Sequence, residues 1–403
     1  MKVLQINSVC KSGSTGKIAY ELYRRGNSDG HEFAVCYGRG KKLHEDGIFK
    51  FGLDLETYAH AFLTRITGWT GCFSPLSTKR LLRYMDEFKP DIVHLHEPHA
   101  YFLDLVPFFN YLADRKIPLV YTFHCEFAFT GKCGYSYDCE GYIKGCGNCP
   151  RLKEYPKTVC FDHTAEMYSE KKELLLKQDM LIAAPSSWLA EKAKRSFLSG
   201  FRIMVVKNGI DSTGVFYPRE YEHLKAKHGI GDEKIVLAVA PSFISDERKG
   251  AKHVIDLARR MDGQAVRFIM IGADKPVEDL PGNVIVLGRT EDQAELAEYY
   301  SMADCFVICS AMENLPTTCL EAVCCGTPVV GFDVGGTAET APAPLGSFVA
   351  YGDMEALEME VRGMLAAPPS PEAFREYGVK YSSRYMYEAY LKLYEELLEG
   401  KQK

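Results

Sequence analysis

The sequence predicts an α/β protein with two doubly wound domains, each built on a parallel sheet that helices cover on both faces. Short β-branched and apolar runs alternate with amphipathic helical patterns along the 403 residues, which is typical of such sheets. The runs are too numerous for one comfortable sheet, and a turn-rich segment at residues 208–221 separates them into two sets. Ligands bind at the carboxyl ends of strands in this architecture, so functional residues are expected in the loops that follow the strands.

Six strands are predicted in the first half. In chain order they are KVLQIN, EFAVCY, DIVHLH, PLVYTFH, MLIAAPS and RIMVVKNG, with TGKIAYELYRR as the first helix. The N-terminal run has about five residues of alternating apolar character before polar turns begin, which indicates a buried strand and not a secretory signal. No apolar stretch approaches the roughly 18 residues of a membrane-spanning helix. We therefore expect a cytoplasmic protein.

Five further strands and a long terminal helix are predicted in the second half. The strands are KIVLAVA, VRFIMIG, NVIVLG, DCFVICS and PVVGFD, and the helices include AKHVIDLARRM, QAELAEYYSMA and TTCLEAVCCG. The tail RYMYEAYLKLYEELLEG is one amphipathic helix, long enough to cross back to the first domain. We expect an N-terminal domain at residues 1–207, which includes a Cys-rich loop at 125–150 and the terminal helix at 381–403, and a C-terminal domain at 208–380.

The formal net charge of −6 is spread unevenly. Residues 1–90 hold 14 Lys and Arg against 9 Asp and Glu, whereas residues 221–380 hold 14 against 25. Nucleic acid needs a continuous basic footprint, so the acidic half argues against such a partner. The basic half, with Lys79, Arg80 and Arg83, suits an anionic acceptor or the anionic inner face of the cell membrane, where the protein would be peripheral. A plain solvated surface is the alternative.

Two glutamates lie eight positions apart in the stretch ENLPTTCLE. Glu313 falls in the loop after a strand and Glu321 about one turn inside the next helix, so the helical part alone spans roughly 7–9 Å. Carboxylate pairs of retaining glycosidases need about 5–5.5 Å, and metal ligands converge on one point. Pro316 suits the first helical position, and the N–H groups of Thr317 and Thr318 suit an anion. The spacing fits a nucleoside diphosphate sugar held at both ends; two glutamates without a joint role are the alternative.

The joint order of several short motifs resembles the retaining family-4 glycosyltransferases, whose GT-B fold has two Rossmann-like domains facing across a cleft. The E-x7-E stretch precedes CGTPVVGFDVGGTAE, and GSTG, DIVHLHEPH, PSSWLA, NGID and ERKG come before it in the family's order. The resemblance implies sugar transfer from a UDP- or GDP-sugar to a saccharide or lipid-linked saccharide, in cell-surface polysaccharide biosynthesis. It also implies a front-face mechanism in which the donor's β-phosphate takes the acceptor proton and no divalent cation is needed.

The resemblance also implies roles for individual residues. Lys249 matches the family's Lys-Gly, at a position where cations face the departing diphosphate. Arg248 is the candidate to replace an arginine that the family has and this sequence lacks. The alternative for both residues is that they are solvent-exposed at the start of a helix and have no role in binding. His124 lies at the end of a strand, where the resemblance implies a residue of the cleft; the alternative is a structural histidine whose hydrogen bonds are all made within the protein. Cys125 occupies the position where the family often has aspartate. The expected catalytic residues are His124, Arg248, Lys249 and Glu313, and the expected donor-binding residues are Gly13, Gly16, Asn314, Leu315, Thr317 and Glu321.

The loop CEFAFTGKCGYSYDCEGYIKGCGNCP contains Cys133, Cys139, Cys146 and Cys149 in the spacing C-x5-C-x6-C-x2-C. In a cytoplasmic protein such a density of cysteines indicates metal and not disulfides, and four thiolates would form a closed structural Zn²⁺ site. Disulfides and free thiols are the alternatives. A subset of the resembling family, as in capsular and exopolysaccharide biosynthesis, carries a similar Cys-rich insertion, which is expected to shape the acceptor pocket.

Two other classes of protein use similar sheets. A nucleotide-dependent epimerase or oxidoreductase needs G-x-G-x-x-G after its first strand, and CKSGSTGKIA lacks that pattern. A non-enzymatic binding protein stabilised by zinc would give no role to the donor-type motifs of the second half. The transferase interpretation accounts for both halves.

Overall fold

Two separate parallel sheets organise the chain, which a computed structural model describes over residues 1–290 and 292–400. They lie in different units: the first unit consists of Met1–Lys207 and the chain from Met386 onward, and the second of Asn208–Tyr385. The expectation of two parallel α/β domains is confirmed.

The first sheet has seven parallel strands in the order β3-β2-β1-β4-β5-β6-β7. They are β1 (Lys2–Asn7), β2 (Glu32–Tyr37), β3 (Ile48–Lys50), β4 (Ile92–Leu95), β5 (Leu119–Thr122), β6 (Met180–Ala184) and β7 (Arg202–Val205). The helices are α1 (Gly13–Ser28), α2 (Asp54–Thr67), α3 (Pro75–Phe88), α4 (Leu105–Asp114), α5 (Gly141–Lys144), α6 (Thr164–Leu176) and α7 (Ser187–Lys194). All residues of β4, β5 and β6 are buried, as expected for central strands that helices cover on both faces.

The second sheet has six parallel strands in the order β10-β9-β8-β11-β12-β13. They are β8 (Lys234–Val239), β9 (Val266–Ala273), β10 (Val284–Gly288), β11 (Cys305–Ile308), β12 (Val329–Phe332) and β13 (Gly346–Val349). The helices are α8 (Glu222–His228), α9 (Ala251–Arg260), α10 (Gln293–Met302), α11 (Thr317–Cys324), α12 (Met354–Ala366) and α13 (Pro371–Lys380). Because β8 and β11 are neighbours, the loops that follow them meet at one edge of the sheet.

Two strands were not predicted from the sequence, and both lie at sheet edges. They are β3, with three residues, and β13, whose residues GSFV are only half-buried. An edge strand pairs on one side only, so it needs no long apolar run, and a pattern search for such runs passes over it.

The last helix, α14 (Ser383–Glu399), packs on the first unit, where Tyr390 and Tyr394 are buried with Val3 and Leu22. The chain joins the first unit from Met386 onward, later than the predicted 381, and residues 381–385 stay with the second unit. In that segment the Ser383 N–H donates to the Ile210 carbonyl at 2.7 Å. Residues 401–403 of the predicted helix lie outside the described residues. Within residues 1–290 and 292–400, no helix is both long enough and apolar enough to cross a bilayer.

Candidate functional site

An ion pair joins the loops after β8 and β11 at the carboxyl edge of the second sheet. The Lys249 ammonium lies 2.7 Å from Glu313 Oε1, and the two side chains are only 18% and 13% exposed. The backbone holds the pair in place, because the Ala311 N–H donates to the Arg248 carbonyl at 2.7 Å. Gly250 has φ +72, and a Cβ there would lie 1.9 Å from the Cys309 carbonyl oxygen. The close approach of these loops therefore requires glycine at 250.

Arg248 makes a different contact from its neighbour. Its guanidinium pairs with Asp246 at 2.6 Å, and its side chain is 41% exposed. The structure thus brings Lys249 to Glu313 and places Arg248 in an ion pair of its own loop. Its role as a substitute cation stays a prediction.

Glu321 lies on α11 and is buried beside Tyr300 of α10. The Tyr300 hydroxyl donates to Glu321 Oε2 at 3.0 Å, and Glu321 is 6% exposed. Burial, with the Glu321 charge, raises the pKa of Tyr300 well above its usual range, so the phenol keeps its proton. The sequence analysis missed Tyr300, because its contact depends on how two helices pack and no local pattern marks it.

The loop before α11 is anchored from the other side by the VGG turn. Gly336 N–H donates to the Glu313 carbonyl at 3.1 Å, and a Cβ at Gly335 would lie 1.9 Å from that same oxygen. Asn314 and Leu315 are buried at 6% and 5% exposure. The helix begins at Thr317, so Pro316 is its N-cap and not, as predicted, its first helical residue. Proline suits either position, since it has no N–H to lose.

His124 lies just after β5 and contacts a second buried histidine, His96 of the loop after β4. His96 Nδ1 and His124 Nε2 are 3.1 Å apart, and His96 Nε2 is 2.9 Å from Gln5 Oε1. A neutral His96 that donates to the amide oxygen accepts at Nδ1, so His124 carries its proton on Nε2. Burial lowers the pKa of His124 to about 4, which keeps it neutral near pH 7.

A further buried histidine connects this region to the terminal helix. His94 Nδ1 lies 2.7 Å from the Tyr394 hydroxyl, and His94 Nε2 lies 2.7 Å from Thr122 Oγ1, which is 2.8 Å from the Tyr390 hydroxyl. The stretch HLHEPH lies at this strand end, but no role was predicted for its histidines. The spacing of His94, His96 and His99, two and three residues apart at a strand end, was the pattern that could have indicated a cluster of histidines.

Gly13 and Gly16 belong to the start of α1, after β1. Gly13 has φ +63 and is exposed. A Cβ at Gly16 would lie 3.1 Å from the Val9 carbonyl oxygen, so this glycine allows the helix to pack closely on the preceding loop. Their donor-binding role stays a prediction.

The four cysteines of the loop after β5 are only partly in contact: Cys133 and Cys149 share a hydrogen bond. The hydrogen bond from the Cys133 thiol lowers the pKa of Cys149 below its usual range. The sulphurs of Cys139 and Cys146 would lie 3.4 and 3.7 Å from a Cβ at Gly141. In the described part of the chain, no three of these sulphurs come within 4.8 Å of one another.

Two buried lysines supply positive charge beside these cysteines. Lys132 Nζ donates to the Leu152 and Pro156 carbonyls at 2.6 and 2.5 Å. Lys171 Nζ donates to the Phe127 carbonyl at 2.5 Å; burial lowers its pKa to about 7, and neighbouring cysteines oppose that shift. Four thiolates on Zn²⁺ would carry a net charge of −2, and positive charge on nearby lysines favours such an anionic site.

Comparisons with known proteins indicate the family of this chain. Residues 15–213 match the family model "Glycosyltransferase Family 4", and residues 220–381 match "Glycosyl transferases group 1". The putative colanic acid biosynthesis glycosyl transferase WcaC of Escherichia coli is 26% identical over 98% of this chain and 100% of its own. An alpha-maltose-1-phosphate synthase of Mycolicibacterium smegmatis is 30% identical over 49% of this chain and 56% of its own.

Solved structures match nearly the whole chain. Sucrose-phosphate synthase from Thermosynechococcus elongatus superposes with a TM-score of 0.73 at 17% identity, covering 99% of both chains. Anabaena Alr3699/HepE, solved in complex with UDP-glucose, superposes with a TM-score of 0.68 at 17% identity, covering 98% of this chain and 99% of its own. At these identities the likeness concerns the fold.

Proposed function

This chain is a glycosyltransferase with the GT-B fold, and from that premise we propose that it transfers a sugar, with retention of anomeric configuration, from a UDP- or GDP-sugar to a saccharide or lipid-linked saccharide. The single observation that carries the proposal is the Lys249–Glu313 pair beside the start of α11. A relative named for colanic acid biosynthesis and a structural neighbour that binds UDP-glucose support the substrate class and a place in cell-surface polysaccharide biosynthesis.

The donor diphosphate lies at the start of α11, where the N–H groups of the first turn favour an anion. Lys249 stabilises the negative charge that builds on the departing diphosphate. Glu313 accepts hydrogen bonds from hydroxyls of the transferred sugar, and Glu321, held by Tyr300, accepts them from the ribose. Asn314, Leu315 and Thr317 line this binding segment.

In the transfer step, the bond between the anomeric carbon and the diphosphate oxygen breaks. The bond to the acceptor hydroxyl oxygen forms on the same face, and the hydroxyl proton passes to the donor's β-phosphate. No divalent cation takes part. The family resemblance further implies contacts with the sugar, the acceptor and the diphosphate. We assign these contacts to His124, Gly13, Gly16 and Arg248.

The test begins with UDP, GDP and ADP in thermal shift, because a nucleotide that binds only the folded protein raises its melting temperature. The matching nucleotide sugar is then assayed with EDTA present, and NMR of the product determines the anomeric configuration. We expect activity in EDTA, a retained anomer and, for Glu321→Gln, a donor KM raised at least about tenfold. Glu355→Gln, an exposed glutamate of α12, is the matched control. An inverted product, or an unchanged KM for Glu321→Gln, contradicts the proposal.

We also propose that the first unit docks on an anionic membrane through α2. This helix buries polar residues and exposes apolar ones, the opposite of an ordinary surface helix. Its buried side is polar, with Thr57, His60 and Thr64. His60 Nδ1 lies 2.7 Å from Ser74 Oγ, and the Gly71 N–H donates to His60 Nε2 at 3.0 Å. The exposed stripe is apolar and follows a helical period; it consists of Leu55, Tyr58, Phe62 and Ile66, of which Leu55 is 83% exposed. Such a stripe suits insertion among lipid headgroups.

Basic residues beside this stripe determine which surface it suits. The Leu76 N–H at the start of α3 donates to Glu56 of α2 at 2.9 Å, which brings the first turns of the two helices together. Leu76, Lys79 and Arg83 are exposed along α3, whereas Arg80 donates to the Lys50 carbonyl at 3.3 Å. Apolar side chains flanked by exposed cations complement anionic lipid. A lipid-linked acceptor would be met at that surface.

The docking test is co-sedimentation with phosphatidylcholine vesicles, with and without phosphatidylglycerol. We expect binding to the anionic vesicles and a loss of about tenfold or more for Phe62→Ser/Ile66→Ser, since each apolar side chain inserted contributes about 1.5–3 kcal/mol. Met359→Ser removes a side chain that is 63% exposed on α12 of the second unit and should change nothing. Equal binding of the double variant and the parent protein contradicts this surface.

We further propose that Cys133, Cys139, Cys146 and Cys149 bind one structural Zn²⁺, with Lys132 and Lys171 balancing its charge. The metal would join the four sulphurs and hold the loop together. Metal analysis should give about one equivalent at this loop, which Cys149→Ser removes. A Zn²⁺ content that Cys149→Ser leaves unchanged contradicts the site.

A further inference from the structure

A second group of metal-ligand side chains lies outside the cysteine loop, at the carboxyl edge of the first sheet. It consists of Glu97 and His99, in the loop after β4, and Cys125, directly after β5. One donor atom from each lies within 4.8 Å of the other two. Because β4 and β5 are paired neighbours, the sheet itself brings the three together.

The contacts of His99 leave one ring nitrogen without a hydrogen bond. His99 Nδ1 lies 3.3 Å from the Tyr155 hydroxyl, whereas Nε2 is shut off from solvent and has no hydrogen-bond partner. Glu97 Oε1 lies 3.7 Å from that Nε2, too far for a hydrogen bond. Metal-binding histidines typically use one nitrogen for the metal and the other for a second protein group, and His99 has this arrangement.

The carboxylate is held loosely by the residues around it. Glu97 Oε2 lies 3.5 Å from both Ser8 Oγ and Thr15 Oγ1, at the limit of a hydrogen bond. The Glu97 and His99 side chains are only 20% and 11% exposed, and Cys125 is 9% exposed. A largely buried carboxylate with long contacts has the capacity to take a stronger partner.

We propose that Glu97, His99 and Cys125 form a three-ligand site for Zn²⁺. A thiol and an imidazole select a borderline-soft ion such as Zn²⁺ over Mg²⁺ or Ca²⁺. Three protein ligands leave the fourth tetrahedral position for water or another oxygen ligand. The ion would connect the loops after β4 and β5 beside His124. This proposal stands independently of the sugar-transfer function.

Without a metal, the same three side chains would interact through ion pairs among themselves. A protonated His99 between the Glu97 carboxylate and the Cys125 thiolate would form a metal-free network. The experiment must therefore distinguish metal ligation from ion pairing, and it must separate this site from the four cysteines.

The experiment uses the full chain, stripped of metal under a thiol-free reductant and titrated with Co²⁺, whose absorption reports thiolate ligation. In Cys149→Ser, which removes the four-cysteine site, we expect one Co²⁺ with a single-thiolate spectrum, displaced by Zn²⁺. Adding Cys125→Ser should abolish that spectrum. Tyr155→Phe should weaken Co²⁺ binding by about tenfold, since it removes the outer contact of His99. Cys160→Ser, an exposed cysteine of the same unit, is the matched control.

Native mass spectrometry supplies a second measurement that needs no Cys149 variant. The parent protein should carry one more Zn²⁺ than Cys125→Ser; equal stoichiometry overturns the proposal. A folded Cys149→Ser protein that binds no Co²⁺, or a thiolate spectrum that survives Cys125→Ser, also overturns it. A parent protein with one equivalent and a single-thiolate spectrum that needs Cys125 would support this site and remove the four-cysteine site.

Discussion

Replacing Lys249 by methionine tests whether the Lys249–Glu313 pair acts as one catalytic unit. The methionine keeps most of the side-chain volume and removes the charge. At 2.7 Å, the gross attraction is about 6 kcal/mol for an effective dielectric constant near 20. Because both groups are partly solvated and lose hydration in pairing, we expect a net coupling of about 1–3 kcal/mol.

The catalytic effect should exceed the effect on binding. In the proposed reaction Lys249 faces charge that develops only as the diphosphate departs, so its loss should reduce kcat by about 10²–10³-fold, or about 2.7–4 kcal/mol. The donor KM should change far less, since little of this charge exists in the ground state.

The assay compares steady-state kinetics of the parent, Lys249→Met, Glu313→Gln and the double variant, with the donor identified by thermal shift. Lys252→Met, an exposed lysine of α9, is the matched control and should be unaffected. We expect the double variant to cost far less than the sum of the singles, as for residues that act together. Additive losses, or a Lys249→Met enzyme with normal kcat, would refute the reasoning.

Three further predictions concern residues around these sites. Tyr300→Phe removes a buried donor to Glu321 and should lower the unfolding free energy by about 1.5–3 kcal/mol and raise the donor KM; normal values in urea unfolding and kinetics would contradict the contact. Gly250→Ala should destabilise more than Gly263→Ala in thermal melts, because both have positive φ but only Gly250 would meet a backbone oxygen; equal losses would count against the close approach. His124, with a folded pKa of about 4 against about 6.5 when unfolded, contributes stability that is present above pH 6.5 and lost as pH falls towards 4, by up to about 3 kcal/mol. His124→Gln should flatten that pH profile, whereas exposed His223→Gln should not.

Local patterns in the sequence were enough to predict both sheets and the placement of several candidate residues. Strand runs and helical periods extend over a few residues and depend on local burial, so the strand before His124 and the loops that carry Lys249 and Glu313 could be recognised. The edge strands β3 and β13 could not, because strands paired on one side need no long apolar run.

What the tertiary structure decided is which side chains meet. The pairing of Lys249 with Glu313 and not with a neighbouring carboxylate, the hydroxyl of Tyr300 on Glu321, and the meeting of His99 with Cys125 all join residues 21 to 64 positions apart. The structure also turned the apolar side of α2 outward. Strand order and helix packing determine these contacts, and periodicity encodes neither. The sequence by itself therefore determined the fold and the loops that carry the proposed site residues, and the packing of those loops determined which of these residues meet.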